Sequence, residues 1–191
     1  LVNAYIRAHT QAEPLRPEQL DVAIIGAGAT GVELAAELHK TTRTLVSYGL
    51  DRIDPDKDIK LVLIEAADRI LPALPERLSD AAAELLKTLN VSVRTRSRVA
   101  EVMANGVRLA GGEVIPAEII VWAAGVKAPD LLRELDGLET NRINQLVVTR
   151  ELQTTRDPDI FALGDCSACP WPEKKGWNPP GAPASLQQRS P

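Results

Sequence analysis

Three closely spaced glycines, Gly26, Gly28 and Gly31, are the residues of this sequence with the clearest chemical potential. They follow an apolar run, Val22–Ile25, that is typical of a strand buried on both faces, and they lead into residues 32–38, where apolar residues recur at helical spacing. At such a junction the first glycine permits a tight turn, the second admits a pyrophosphate, and the third lets the helix pack on the strand. The N–H groups at the helix start then hold the anion. The pattern predicts a dinucleotide-binding loop.

An acidic residue at the end of the next strand completes this motif, because it accepts hydrogen bonds from the adenosine ribose. Residues Ile59–Ile64 form an apolar segment that ends at Glu65. Glu65 lies beyond the usual distance of about 20 residues from the glycines. The excess corresponds to Thr41–Asp58, where we expect a helix extended to Tyr48 and stopped by Gly49. This insertion lengthens the helix without moving the strand ends.

Glu65 also favours one nicotinamide nucleotide over the other. A carboxylate at the ribose attracts a 2′-hydroxyl and repels a 2′-phosphate, so that NADH is favoured over NADPH. Arg69 follows closely in the sequence and would weaken this preference if it reached the ribose. We interpret Arg69 instead as a solvated arginine. The sequence therefore predicts an NADH site.

Composition excludes several other classes of function. The 191 residues carry a net charge of −4 and show no basic face with interleaved aromatic residues, which argues against a nucleic-acid partner. The apolar runs have the length of strands, shorter than the roughly 20 residues that span a bilayer, and no signal-peptide pattern opens the chain. We expect a soluble, cytosolic context. Because the chain starts at Leu1 in a helix-like segment, we also expect it to be an excised piece of a longer protein.

The elements that would position these residues alternate between strand and helix. A helix predicted over Glu76–Leu89 and a strand over Val91–Arg94 complete a second βαβ unit, which indicates a parallel sheet. Between Arg98 and Pro116, short segments separated by Asn105-Gly106 and Gly111-Gly112 predict hairpins. We therefore expect an α/β fold, a Rossmann-like parallel sheet with helices on both faces and a small antiparallel β-meander.

The later part of the sequence predicts less regular structure. A buried strand over Ala117–Trp122 ends the nucleotide-binding part, and the small residues up to Gly125 allow a ligand to approach closely. A polar connection, Asp130–Asn144, leads to a strand over Gln145–Thr149. From Cys169 onward the chain is rich in proline, and we expect extended or partly disordered chain there.

A second motif near the end of the chain identifies a family resemblance. Residues Thr155–Asp165, TRDPDIFALGD, resemble the TSxPxIFAxGD signature of two-dinucleotide flavoproteins. The segments GAGATGVELA, LIEAADRILP, VWAAGV and GDC, followed by a PP-x-A-x-A-x-x-QQ tail, occur in the matching order. Over nearly all of its length the chain resembles the middle and late part of type II NADH:quinone oxidoreductases.

This resemblance implies roles for particular residues. Those that it assigns to NADH are Gly26, Gly28, Thr30, Gly31, Glu33, Glu65, Ala124 and Gly125. Within this set Glu33 would approach the nicotinamide as the catalytic residue, and the alternative interpretation of Glu33 is a solvated helix residue. Gly164 and Asp165 would belong to the FAD site, where the aspartate of the signature holds the ribityl chain.

The resemblance also assigns roles to residues in the C-terminal tail. Gln187 and Gln188 match positions expected near flavin and quinone, whereas Pro183 stands where relatives usually carry glutamine. The resemblance divides the chain into residues 1–17, a remnant of the flavin domain and its linker, 18–130, the NADH-binding domain, and 131–191, a return segment of the flavin domain.

The implied chemistry is hydride transfer from NADH to FAD and then reduction of a membrane quinone. The parent would attach peripherally to the cytoplasmic side of the inner membrane through a later amphipathic region, and a homodimer is compatible with the resemblance. Family members carry an earlier flavin motif, so we expect the isolated chain to bind NADH without holding FAD stably or oxidising NADH. Two alternatives stay open: another FAD-dependent reductase of ferredoxin or rubredoxin type, or a non-catalytic NAD(H)-sensing module.

Two further patterns suggest a metal but are better explained otherwise. Cys166 and Cys169 form CSAC, and no second such pair or HxxxH motif completes a zinc site. Asp54, Asp56, Asp58 and Glu65 match an EF-hand loop at positions 1, 3, 5 and 12, but Ile59 replaces the glycine of position 6. We predict no metal site, and we interpret the aspartates as a solvated turn.

Overall fold

The computed structural model describes residues 2–50, 52–125 and 127–170. The chain divides after Ala124 into two compact units. In the first unit the helices and strands follow in the order α1 (Val2–Thr10), β1 (Val22–Ile25), α2 (Ala29–Ser47), β2 (Leu61–Ile64), α3 (Glu76–Thr88), β3 (Val91–Arg94), β4 (Val99–Met103), β5 (Gly106–Leu109), β6 (Val114–Pro116) and β7 (Ile119–Trp122).

The first unit is built on a four-stranded sheet in the order β3-β2-β1-β7. All three pairings are parallel, with Val22 of β1 beside Leu61 of β2 and Ile119 of β7. Because β1 is an inner strand covered on both faces, all four of its residues are buried. This is why the strand that leads into the glycines is a continuous apolar run rather than an alternating one.

The two faces of this sheet are covered by different kinds of structure. Val22 and Ile24 pack with buried residues of α1, α2 and α3 in one hydrophobic cluster. Ala23 and Ile25 pack on the opposite face with Val107 and other residues of β5 and β6. The predicted α/β class, with a parallel sheet, helices and a small antiparallel meander, is confirmed, and in the described residues the meander packs on the face that carries Ala23 and Ile25.

The meander follows the order β4-β5-β6 with antiparallel pairing. Its first turn is formed by Ala104 and Asn105, one residue before the predicted pair, and Gly106 already pairs with Met103. Gly106 has φ +153°, and a Cβ there would lie 2.4 Å from the carbonyl oxygen of Ile115. The glycine is therefore required by close strand approach as well as by the turn.

Helix α1 is attached to the rest of the first unit by its buried residues and by hydrogen bonds at its C-terminus. Tyr5 and Ala8 are buried in the helical cluster. The Arg52 guanidinium donates to the carbonyl oxygens of His9 and Gln11, at 3.1 and 2.9 Å, which satisfies groups at the helix C-terminus. Glu118 forms ion pairs with two arginines of this N-terminal region. The segment predicted as a flavin-domain remnant thus packs within the same unit as the glycine loop.

The second unit has little regular structure in its described part. It contains α4 (Leu131–Glu134), β8 (Leu146–Val147) and β9 (Ser167–Ala168), and β8 pairs with β9 in parallel. The predicted strand over 145–149 is reduced to the two residues of β8, flanked by isolated bridges. The proline-rich segment from 171 onward, with Pro183, Gln187 and Gln188, lies outside the described residues, so the predictions for it stay untested.

Asp21 directly precedes β1, and its buried carboxyl group leads to a prediction about stability. Its side chain is only 7% exposed, and Oδ1 accepts a hydrogen bond from the N–H of Lys60 at 3.0 Å. Burial raises the pKa of Asp21, and the Lys60 side chain opposes this only in part. A raised pKa in the folded state means that stability is lost as the pH rises from the unfolded pKa through the folded one.

We therefore expect Asp21→Asn to be at least as stable as the wild type at pH 7, because the amide oxygen keeps the Lys60 bond without a buried charge. Asp21→Ala should cost about 1–3 kcal/mol, since it leaves that N–H without its acceptor. Urea unfolding at pH 4 and pH 7 would measure both. A wild type that gains stability from pH 4 to pH 7 relative to Asp21→Asn would contradict the assignment.

Candidate functional site

The glycine loop lies at the carboxyl end of β1, held by the strands on both sides. Gly26 N–H donates to the carbonyl oxygen of Ile64 in β2 at 2.7 Å. Ala123 N–H, following β7, donates to the carbonyl oxygen of Ile25 at 2.8 Å. In parallel α/β sheets ligands bind outside the carboxyl ends of the strands. The loop therefore has the position of a ligand site and a backbone fixed by the sheet.

Two features of the structure require glycine at position 26. Its φ of +102° lies in the left-handed region, where side chains are strained. A Cβ at this position would also lie 2.6 Å from the Cα of Ala124. Ala124 thus packs directly against the turn, which explains why the second residue after β7 is small.

Gly31 is required by the packing of helix against loop. An added Cβ would lie 1.8 Å from the carbonyl oxygen of Gly26, so any side chain would push α2 away from the turn. On the other side Leu63 of β2 is in ordinary van der Waals range at 3.5 Å. The helix therefore begins as close to the sheet as a backbone can approach.

Gly28 forms the N-cap of α2, and the space around it is open. Among the described residues, no atom beyond those of its chain neighbours lies within 4 Å of where its Cβ would be, and no side chain caps the helix. The first N–H groups of a helix have no partner within the helix, and the first turn of α2 contains no acidic residue. Thr30 lies exposed in this turn. Free N–H groups, an open approach and the helix dipole together suit a bound pyrophosphate.

The Glu65 carboxylate lies beside this loop and is hydrogen-bonded to it. Oε2 accepts a hydrogen bond from Ala27 N–H at 2.7 Å, and Oε1 accepts one from Ala67 N–H at 2.9 Å. Each carboxylate oxygen has a further acceptor position, so two ribose hydroxyls could be bound without breaking these bonds. The bond to Ala27 was not foreseen from sequence, because Ala27 and Glu65 are distant in the chain and nothing in the type of Ala27 marks it.

Glu33 lies in the second turn of α2 and its side chain is exposed. It makes no hydrogen bond or ion pair with the residues that the structure describes. Such a carboxylate is free to meet a ligand at the loop, although the geometry is equally that of a solvated helix residue. Its assignment as the catalytic residue stays a prediction.

The remaining predicted residues belong to the second unit. Gly125 and Gly164 both have φ of +76°, so each supports a turn that favours glycine. Asp165 follows in a short 3₁₀ turn, and its backbone oxygen accepts a hydrogen bond from Gln145 Nε2 at 3.0 Å. Its carboxylate is exposed and accepts no hydrogen bond within the described ranges. This fits an acceptor for the hydroxyls of a flavin ribityl chain.

The cysteines and the acidic turn have local partners. Cys166 donates to the carbonyl oxygen of Leu163 and Cys169 to that of Thr149, so the two thiols are bonded to different carbonyls. Burial raises the pKa of Cys169, which disfavours its thiolate. In the aspartate turn Asp58 accepts from the N–H of Asp54. Within residues 2–50, 52–125 and 127–170 no cluster of three His, Cys, Asp or Glu side chains is arranged to bind a metal.

Comparison with known proteins decides the family. The pyridine nucleotide-disulphide oxidoreductase family matches residues 1–188. The chain belongs to this family. Members of the family that resemble it include a type II NADH:quinone oxidoreductase of Haemophilus influenzae, 48% identical over 150 residues, which are 78% of this chain and 34% of that protein. A probable NADH dehydrogenase of Dictyostelium discoideum is 30% identical over 89% of this chain and 37% of that protein.

Solved structures of oxidoreductases share the fold. NDH2 from Plasmodium falciparum in complex with NADH matches 88% of this chain and 36% of its own with a TM-score of 0.72 at 23% identity. A ferredoxin reductase from Rhodopseudomonas palustris matches 78% of this chain and 34% of its own with a TM-score of 0.62 at 24% identity. The resemblance to type II NADH:quinone oxidoreductases is confirmed. The chain spans about a third of the length of these relatives.

Proposed function

We propose that this chain is the NADH-binding part of a flavoprotein oxidoreductase that passes hydride from NADH to FAD and on to a membrane quinone. The observation that carries the proposal is the connected site at the carboxyl end of β1. A glycine loop without room for a side chain at Gly26 or Gly31 leads there into an uncapped helix N-terminus, and the Glu65 carboxylate is hydrogen-bonded to the loop at Ala27. The 48% identity to the Haemophilus influenzae quinone oxidoreductase supports the choice of acceptor.

In this proposal each part of the site meets one part of NADH. The pyrophosphate lies over Gly28 and takes hydrogen bonds from the N–H groups that open α2, including that of Thr30. The adenosine ribose binds Glu65, whose negative charge disfavours a 2′-phosphate. Ala124 and Gly125 line the adenosine side. Glu33 faces the nicotinamide end, where it would position the ring for hydride transfer.

FAD is the group that the family implies for the second half of the reaction. The residues of this chain that would hold it are Gly164 and Asp165, since the glycine permits the turn and the exposed carboxylate is a free acceptor. When bound, FAD supplies an acceptor for the hydride and a donor of electrons to quinone.

We propose peripheral attachment of the whole protein to the cytoplasmic side of the inner membrane, and a homodimer. No helix among the described residues has the length and apolarity to cross a bilayer.

A reductase that uses a protein acceptor is the second candidate. It is suggested by the fold shared with the Rhodopseudomonas palustris ferredoxin reductase, but a likeness at 24% identity concerns the fold alone. The complete protein that contains this chain would separate the two. NADH-dependent reduction of a short-chain quinone, and not of ferredoxin or rubredoxin, is the expected result.

Direct titration tests the nucleotide half of the proposal on the chain itself. We expect calorimetry to show one NADH bound per chain and NADPH bound at least about tenfold more weakly, because Glu65 repels the 2′-phosphate. ADP-ribose should bind with most of the NADH affinity, since the predicted contacts lie on that half. Equal affinity for the two nucleotides would remove the role of Glu65, and no binding of NADH at millimolar concentration would refute the proposal.

A further inference from the structure

The segment after β3 is fastened directly beside Glu65. Arg96 N–H donates to the carbonyl oxygen of Ala67 at 2.7 Å, and Ser97 N–H donates to that of Glu65 at 2.8 Å. Ala67 N–H in turn donates to Glu65 Oε1. Two successive hydrogen bonds through Ala67 therefore connect the backbone of Arg96 to the carboxylate at the ribose position. A long side chain at residue 96 starts within reach of that position.

Arg96 is held in a conformation that arginine rarely adopts. Its φ is +51°, in the left-handed region where a side chain other than glycine, asparagine or aspartate is uncommon. Such positions persist only where the surrounding structure enforces them, and they cluster at ligand sites. Arg96 is exposed, so core packing does not explain its size or charge.

Arg69 and Arg94, which lie near the same edge, have side-chain partners, whereas the Arg96 guanidinium has none among the described residues. Arg69 donates to the carbonyl oxygen of Pro72 at 3.1 Å. Arg94 forms a two-point ion pair with Glu113 at 2.7 and 2.8 Å. Arg96 thus combines proximity to Glu65 with an uncommitted planar fork of donors, the arrangement that suits a phosphate.

We propose that Arg96 is a specificity residue for the adenosine end of the nucleotide and binds a 2′-phosphate when one is present. The inference rests on the NADH site proposed above and adds a second, opposing determinant to it. Glu65 selects the 2′-hydroxyl by accepting its hydrogen bond and by repelling phosphate. Arg96 offsets that repulsion, so the chain binds 2′-phosphorylated adenosine nucleotides, NADPH included, as weaker second ligands.

Adenosine fragments isolate this effect from the rest of the nucleotide. The test titrates 5′-AMP and 2′,5′-ADP into the wild type, Arg96→Gly, Glu65→Gln and the double variant. Glycine suits φ +51°, so Arg96→Gly removes the guanidinium while relieving the backbone. Arg98→Gly is the matched control, because Arg98 is also exposed while its carbonyl is bonded to Ala110 of the meander.

The expected result is selective for the phosphorylated ligand. Arg96→Gly should weaken 2′,5′-ADP binding about tenfold and 5′-AMP binding less than about threefold, and it should weaken 2′,5′-ADP binding in the Glu65→Gln background as well, where the repulsion of the phosphate is already gone. Arg98→Gly should change neither ratio. Equal effects of the two glycine variants, or equal 2′,5′-ADP affinities of Glu65→Gln and the double variant, would overturn the inference. If the wild type binds neither 5′-AMP nor NADH, the proposed NADH site itself is wrong.

Discussion

Replacement of Gly31 by alanine is expected to lower the affinity for NADH at least about 100-fold, because displacing a binding element by about 1 Å has effects of this size. The added Cβ would lie 1.8 Å from the carbonyl oxygen of Gly26, so α2 must move away from the loop. Overpacking of this kind costs about 1–3 kcal/mol or more of folding stability. Calorimetric titration with NADH and urea unfolding would measure the two effects separately.

Gly28→Ala separates binding from folding in the same loop. In the described part of the chain no atom beyond the chain neighbours lies within 4 Å of the added Cβ, so the folding cost is limited to the weaker N-cap, about 1 kcal/mol at most. The methyl group nevertheless occupies the approach of the pyrophosphate, and NADH binding should fall as strongly as in Gly31→Ala. Gly111→Ala is the control, since its Cβ also meets open space but lies in the meander. Wild-type affinity in Gly28→Ala would contradict the placement of the pyrophosphate.

Glu65→Ala is expected to weaken NADH binding about 10- to 100-fold, because it removes the acceptor of the ribose hydroxyls. The same change leaves Ala27 N–H and Ala67 N–H without their acceptor, at a cost of about 1–3 kcal/mol in stability. NADPH binding should fall less than NADH binding, since the repulsion of the 2′-phosphate disappears too. Titration of both nucleotides gives the ratio directly.

A control variant at a second glutamate shows whether the effect of Glu65→Ala on nucleotide affinity depends on the position of the lost charge. Glu84 on α3 is 76% exposed, and its contact with Lys87 is at the 4.0 Å limit of an ion pair. Glu84→Ala removes the same charge, and we expect it to leave both nucleotide affinities unchanged. A comparable loss in Glu84→Ala would mean that net charge, and not the ribose contact, governs binding.

Much of the site could be predicted because its requirements are local and steric. A continuous apolar run identifies an inner parallel strand, and β1 is buried at every position. Glycine is the residue that fits where a turn needs positive φ or where a backbone oxygen lies too close for a Cβ, as at Gly26 and Gly31. The order of strand, glycine loop and helix therefore appears directly in the residue types.

The parts that could not be predicted depend on contacts between distant segments. The meander covers one face of the sheet because its apolar residues, such as Val107, pack against Ala23 and Ile25, and alternation alone does not name the partner face. Arg69 and Arg96 look equivalent as exposed arginines in the sequence. Only in the fold does the Arg69 side chain find a carbonyl partner, and backbone hydrogen bonds bring Arg96 beside Glu65.

The hydrogen bond from Ala27 N–H to Glu65 has a consequence for attempts to change the nucleotide that this fold uses. The residue that discriminates between the two coenzymes also supports the backbone of the loop that holds what they share. A redesign that replaces Glu65 by a residue unable to accept this hydrogen bond thus trades selectivity against loop rigidity, and it lowers affinity for the new coenzyme as well as the old. Cofactor exchange in this scaffold therefore calls for a neutral acceptor that still reaches Ala27, introduced together with the new positive charge.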